Sequence, residues 1–179
     1  SRLLNILSVL AVAVSAAAAW TDIRTRRIPN VLTLPAAILG LTLSWILCGG
    51  EGFRLSCIGF GFGLGIFFVP WLLGGMGGGD VKLMAALGAM VGFPMIIWVA
   101  TLSCVTALLI AIVKVIWTGR LGQLAMSTWL VVRYGILMIL LRRPGDEIRD
   151  VTRHLAIGYV PFGLSIAIGT IWAGGVAWM

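Results

Sequence analysis

The feature that most constrains this chain is a series of apolar segments of about the length that crosses a lipid bilayer. A hydrocarbon core about 30 Å thick needs roughly 20 helical residues per crossing. Six segments follow one another, at residues 3–20, 31–48, 55–73, 81–92, 95–117 and 160–179. A mean hydropathy of +1.09 is far above that of a soluble domain. The sequence therefore predicts an all-α polytopic membrane protein with about six transmembrane helices. The short fourth segment needs a thinned bilayer or burial among its neighbours.

The net charge of +7 is explained by the tendency of basic residues to lie on the cytoplasmic side of a membrane protein, and nucleic-acid binding is not needed to explain it. Residues 124–141 are apolar, but a central Arg133 is costly inside a bilayer, so we expect an interfacial helix there. Most basic residues then share one face: Arg24, Arg26, Arg27, Lys82, Lys114, Arg120, Arg133, Arg142, Arg143, Arg149 and Arg153. Both termini are then extracytoplasmic, and a seventh crossing by residues 124–141 is the alternative.

The cysteines predict neither a metal site nor a cofactor. None of the three belongs to a CxxC motif. Cys48 and Cys57 flank a predicted loop at 49–54, so they pair only if that loop is extracytoplasmic. The alternative is that they are small apolar residues within helices.

Two aspartates stand at the ends of apolar segments. Asp22 follows the first segment, and Asp80 follows a glycine-rich break in "GGMGGGDVKL". Each has a simple explanation alone, Asp22 as a loop residue and Asp80 as a helix cap or first-turn residue. Because two segments separate them, however, both must lie on the same membrane face. Two carboxylates brought close there have divergent pKa values, and such a pair can split an amide with water.

The glycines before Asp80 have two possible uses. Gly77, Gly78 and Gly79 lack side chains, so a substrate strand can approach the backbone beside Asp80. The alternative is a flexible turn with close helix packing. Lys82 either extends to the membrane interface or contacts the aspartates.

Three motifs resemble the type IV prepilin peptidases. "GMGGGDVKLMAALGAMVG" is similar to their GxGD motif, with Gly77, Gly79 and Asp80 in place and Lys82 following. "DIRTRRIPN" resembles their other aspartate motif, which contains Asp22, Pro29 and Asn30. "YVPFGLSIAIG" resembles their last span. The motifs fall in the expected order and cover most of the chain.

The resemblance implies an aspartyl endopeptidase with Asp22 and Asp80 as catalytic residues. Its substrates would be prepilins or pseudopilins, whose short basic leaders are cleaved at the cytoplasmic face of the bacterial inner membrane. The larger members carry a cytoplasmic insert with paired CxxC motifs that is associated with methylation. Here the corresponding loop is short, so we expect a single membrane-embedded peptidase domain at 1–179, as in Flp/Tad-type peptidases.

Two other classes of protein compete with this interpretation. A small proton- or ion-coupled transporter would use the glycine break as a discontinuous helix and the aspartates as ion ligands. Such sites lie near the bilayer midplane, whereas both aspartates stand at segment ends. A non-enzymatic assembly subunit would not require both aspartates. The oligomeric state is left open.

Overall fold

The computed structural model describes residues 2–25, 28–72, 76–118 and 162–177, and within these ranges every element is a helix. The helices are α1 (Arg2–Thr25), α2 (Asn30–Leu72), α3 (Gly78–Val91), α4 (Met95–Thr118) and α5 (Phe162–Ala177). The all-α prediction is therefore confirmed for the described residues. The predicted interfacial helix at 124–141 lies outside them.

Helix α2 is not straight but folds back on itself at Gly49. The φ angle of Gly49 is 66°, in the left-handed region that glycine adopts without a steric cost. The hydroxyl of Ser56 donates to Oγ of Ser44 at 2.7 Å, and the rings of Trp45 and Phe53 meet edge to face. These contacts join two antiparallel arms, residues 30–48 and 50–72. The predicted loop at 49–54 is thus wrong: the chain is helical on both sides of Gly49.

Helix α3 lies between the two arms of α2. Gly40 of the first arm packs against Ala89 and Met90, whereas Gly59 and Gly63 of the second arm pack against the backbone of α3. Glycines let helix backbones approach this closely because no Cβ separates them. At ~1.5 Å per residue this helix is shorter than a bilayer core. The structure accommodates the short helix by burying it among its neighbours.

Helix α5 packs against α1 and α4 and completes the bundle. The hydroxyl of Thr106 on α4 donates to the carbonyl oxygen of Ser165 on α5 at 3.0 Å. The backbone of Gly169 lies directly against Ser103. Small residues therefore bring α4 and α5 together.

Within the described residues, three helices are long and apolar enough to cross a membrane: Ile6–Thr25, Asn30–Leu72 and Met95–Lys114. Because Asn30–Leu72 folds back at Gly49, each of its arms has about the length of one crossing. The apolar stretch of α5, Phe162–Gly175, is shorter. A total of six crossings stays a prediction.

The outer surface of the bundle is suited to lipid. Large apolar side chains on α4, such as Leu108 and Leu109, are more than half exposed. Trp20 is also exposed, and the guanidinium of Arg24 lies 4.4 Å from its ring centroid. Cys48, Cys57 and Cys104 are all free, so the possible pairing of Cys48 with Cys57 is not formed.

Candidate active site

The two aspartates lie at the same end of the bundle and their charges interact. Asp22 stands in the last turns of α1 and is 2% exposed, and Asp80 stands in the first turn of α3 and is 8% exposed. Carboxyl groups are rarely buried to this degree unless they have partners or a role. The fold therefore brings together two groups that are far apart in the sequence.

The surroundings of Asp80 favour the protonated form of its carboxyl group. Asp80 lies outside the three segments that are long enough to cross a membrane. Burial, and then the negative charge of Asp22, raise the pKa of Asp80 from 3.8 to about 7. A backbone hydrogen bond from Gly77 works in the opposite direction. Of the two simple explanations for Asp80, the first-turn position is observed and the cap is not, since Gly77 occupies the N-cap position.

Asp22 is held by the first turn of α5. The backbone N–H of Gly163 donates to Oδ2 of Asp22 at 3.0 Å, and both residues are buried. The motif "YVPFGLSIAIG" contains Gly163, but sequence reasoning assigned this glycine no role. The only signal in the sequence was its place within that motif.

The three glycines before Asp80 differ in their surroundings. Gly77 is exposed, and a Cβ built on it would lie 3.1 Å from Oδ2 of Asp80. A Cβ on Gly78 would lie 3.1 Å from Nε1 of Trp71, and one on Gly79 would lie 3.0 Å from Cβ of Ile28. Of the three, Gly77 leaves the most open approach to the carboxyl group. Gly78 and Gly79 are occupied by packing inside the protein.

Pro29, Asn30 and Lys82 form the junction between the starts of α2 and α3. The Lys82 ammonium donates to Oδ1 of Asn30 at 3.0 Å, across 52 residues of sequence. The N–H of Leu32 donates to the carbonyl oxygen of Pro29 in the first turn of α2. Lys82 thus binds the "IPN" motif, and this junction fixes the start of α3, where Asp80 lies.

Two aromatic side chains pack together near Asp22. Phe67 on the second arm of α2 is almost fully buried and meets Phe162, the residue before Gly163, with ring centroids 6.0 Å apart. This contact joins α2 to the start of α5 beside Asp22.

The arrangement has the chemistry of an acid and a base. Among the described residues, no three His, Cys, Asp or Glu side chains form a group that could hold a metal ion. Two interacting carboxyl groups, one favouring its proton, can activate water and protonate a leaving group.

A helical membrane bundle with a buried pair of carboxyl groups is typical of a protease that acts at a membrane. The model of the type IV leader peptidase family matches residues 9–112, a stretch that contains both aspartates and more than half of the chain. The chain belongs to this family and is a peptidase of the aspartic type that the family comprises. No curated protein and no solved structure gives a significant match.

Proposed function

We propose that this protein is a membrane aspartyl endopeptidase that removes the short basic leader from type IV prepilins or pseudopilins, with Asp22 and Asp80 as its catalytic residues. The observation that carries the proposal is the pair of buried carboxyl groups whose charges interact. Carboxyl groups that are buried and electrostatically coupled are concentrated at functional sites. The family membership gives the reaction that such a pair would perform.

The position of the pair fits a substrate that is polar on one side of the scissile bond and apolar on the other. Asp22 lies near the end of α1 and Asp80 near the start of α3, so the pair stands at one end of the bundle. A leader that is basic stays in water, while the pilin helix that follows it partitions into lipid. The scissile bond between them is then held at the depth of the aspartate pair.

The proposed enzyme is a single domain that acts at the cytoplasmic face of the bacterial inner membrane. Arg24 near the end of α1 and Lys82 in α3 place basic residues beside the aspartate pair, as expected for a cytoplasmic side. The short connection between α1 and α2 leaves no room for a methyltransferase insert. The proposed chemistry uses water and side chains, without a cofactor.

The alternative of a small ion-coupled transporter has less support. Its aspartates would be ion ligands near the centre of a crossing. Asp22 and Asp80 instead lie near helix ends, and the chain belongs to a peptidase family.

The proposal is tested by incubating the purified protein in detergent with a prepilin and following loss of the leader by mass. Asp22→Asn and Asp80→Asn keep the size of the side chain but remove the titrating group. Each variant should lower the rate by orders of magnitude, because the two carboxyl groups act as a unit.

Glu51→Gln provides the matched control. Glu51 is exposed near the Gly49 bend, where it pairs with Arg54, so losing its charge should leave cleavage unchanged. A folded Asp22→Asn variant that still cleaves the prepilin would contradict the proposed role of the pair.

A further inference from the structure

Gly163 brings the last helix into the site of the aspartate pair. Its N–H donates to Oδ2 of Asp22 at 3.0 Å, and the contact is buried. Helix α5 begins at Phe162, well beyond residues 9–112 that the family model matches. The motif "YVPFGLSIAIG" contains Gly163, but the contact of Gly163 with Asp22 is seen only in the structure.

Position 163 has no room for a side chain. A Cβ built on Gly163 would lie 2.8 Å from Oδ2, 2.9 Å from Cβ and 3.1 Å from Cγ of Asp22. Non-bonded carbon atoms prefer about 3.5–4.0 Å. All three close atoms belong to Asp22, so any larger residue would displace this carboxylate. Gly174, further along α5, has nothing within 4 Å of its Cβ position.

The two carboxyl groups of the pair have different surroundings. Asp22 accepts a hydrogen bond from a backbone N–H in the first turn of α5. Asp80 is buried and faces the charge of Asp22, which favours its protonated form. The structure therefore distinguishes the two members of the pair.

We propose that Gly163 is a positioning residue that holds the Asp22 carboxylate as the general base and leaves Asp80 as the general acid. This assignment rests on the proposed peptidase function. Asp22 takes a proton from water, the water oxygen bonds to the scissile carbonyl carbon, and the Asp80 proton passes to the carbonyl oxygen. The C–N bond then breaks: Asp22 gives its proton to the leaving amine, and Asp80 regains one from the new carboxyl group.

The first test compares the cleavage kinetics of Gly163→Ala and Gly174→Ala in the full-length protein. Gly163→Ala should lower kcat more than tenfold and leave KM for the prepilin within twofold, because Gly163 contacts Asp22. Gly174→Ala adds the same methyl group to the same helix in open space and should match the wild type. Wild-type kcat in Gly163→Ala would overturn the assignment while leaving the peptidase function intact.

The second test measures the contact without using activity. Thermal unfolding in detergent is compared for Gly163→Ala, Asp22→Gly and the double variant. Gly163→Ala should lower the unfolding midpoint in the wild-type background and cost little in the Asp22→Gly background, because the displaced carboxylate is gone. Gly174→Ala combined with Asp22→Gly should show no such coupling.

Three outcomes are distinguished by combining these tests. Gly163 is supported as a positioning residue if the effects of Gly163→Ala and Asp22→Gly on the unfolding midpoint are coupled and Gly163→Ala lowers kcat but not KM. A loss of kcat without coupling would mean that Gly163→Ala acts through folding, which overturns the proposal. A wild-type protein that cleaves no prepilin would refute the proposed function, and the assignment of base and acid would fall with it.

Discussion

At the scale of single residues, the proton on Asp80 is the property that the fold controls most directly. Burial, and then the charge of Asp22, raise the pKa of Asp80 to about 7. The folded protein therefore keeps this proton over a pH range in which the unfolded chain would lose it. Near neutral pH the carboxyl group is poised to act as an acid.

We expect kcat/KM for prepilin cleavage to fall as pH rises through about 7, because Asp80 then loses the proton that the reaction needs. The measurement is a set of rates between pH 5 and 9 in one detergent, with substrate below KM. A rate that kept rising between pH 7 and 9 would contradict the role of Asp80 as the acid.

The same shift predicts a stability effect that is independent of activity. A carboxyl group with a raised pKa stabilises the folded state at low pH, and this contribution is lost as pH rises from 3.8 to about 7. Asp80→Asn cannot ionise. The unfolding midpoint of this variant should therefore rise relative to that of the wild type between pH 5 and 7, and the difference should stay constant above that range. Equal midpoints at every pH would mean that burial does not penalise the charge.

At the scale of helices, the bundle depends on the close approach of α2 to α3. A Cβ on Gly59 would collide with the carbonyl oxygen of Gly88, and one on Gly88 would collide with the carbonyl oxygen of Gly59. Backbone atoms cannot swing aside as flexible side chains do. The position of α3, and with it that of Asp80, therefore depends on glycine at these two places.

Gly59→Ala should destabilise the protein by about 1–3 kcal/mol, the usual cost of overpacking. Gly61→Ala is the matched control, because it lies one half-turn away with nothing within 4 Å of its Cβ position. In the control, alanine should be neutral or stabilise the helix by up to about 1 kcal/mol. Unfolding midpoints in detergent measure both changes, and equal losses in the two variants would contradict the packing explanation.

At the scale of the whole molecule, the aspartate pair and the Gly49 bend lie at opposite ends of the bundle. The N–H of Phe93, just after α3, donates to the carbonyl oxygen of Leu55, a few residues beyond the bend. Asp80 stands at the other end of α3. If the pair is at the cytoplasmic face, the bend must therefore be at the extracytoplasmic face.

This orientation is tested with single cysteines in a background that lacks Cys48, Cys57 and Cys104. A cysteine at Glu51 should react with a membrane-impermeant thiol reagent in intact cells. A cysteine at Thr25, exposed at the end of α1, should react only after the membrane is opened. The reverse pattern would put the aspartate pair outside.

The same background tests the predicted position of residues 124–141, which lie outside the described part of the chain. A cysteine at Asp146 should stay unlabelled in intact cells if that segment lies along the cytoplasmic interface. Labelling in intact cells would make the segment a crossing.

The sequence by itself determined the class of the protein and the segment ends at which Asp22 and Asp80 stand. Long apolar segments allow little besides helices in a bilayer, because every backbone polar group there needs an internal partner. The even number of predicted crossings between Asp22 and Asp80 then predicts that both lie on one face. These conclusions depend only on local composition and on counting, which a single sequence contains.

The contacts that build the site were decided by the tertiary structure. Gly163 meets Asp22 across 141 residues and Lys82 meets Asn30 across 52, and no local pattern encodes such pairs. The residues around Gly49 have the composition of a loop, yet the structure is helical on both sides of Gly49. Close packing places the aspartates together, because glycine backbones that touch fix helix positions that hydrophobicity alone leaves free.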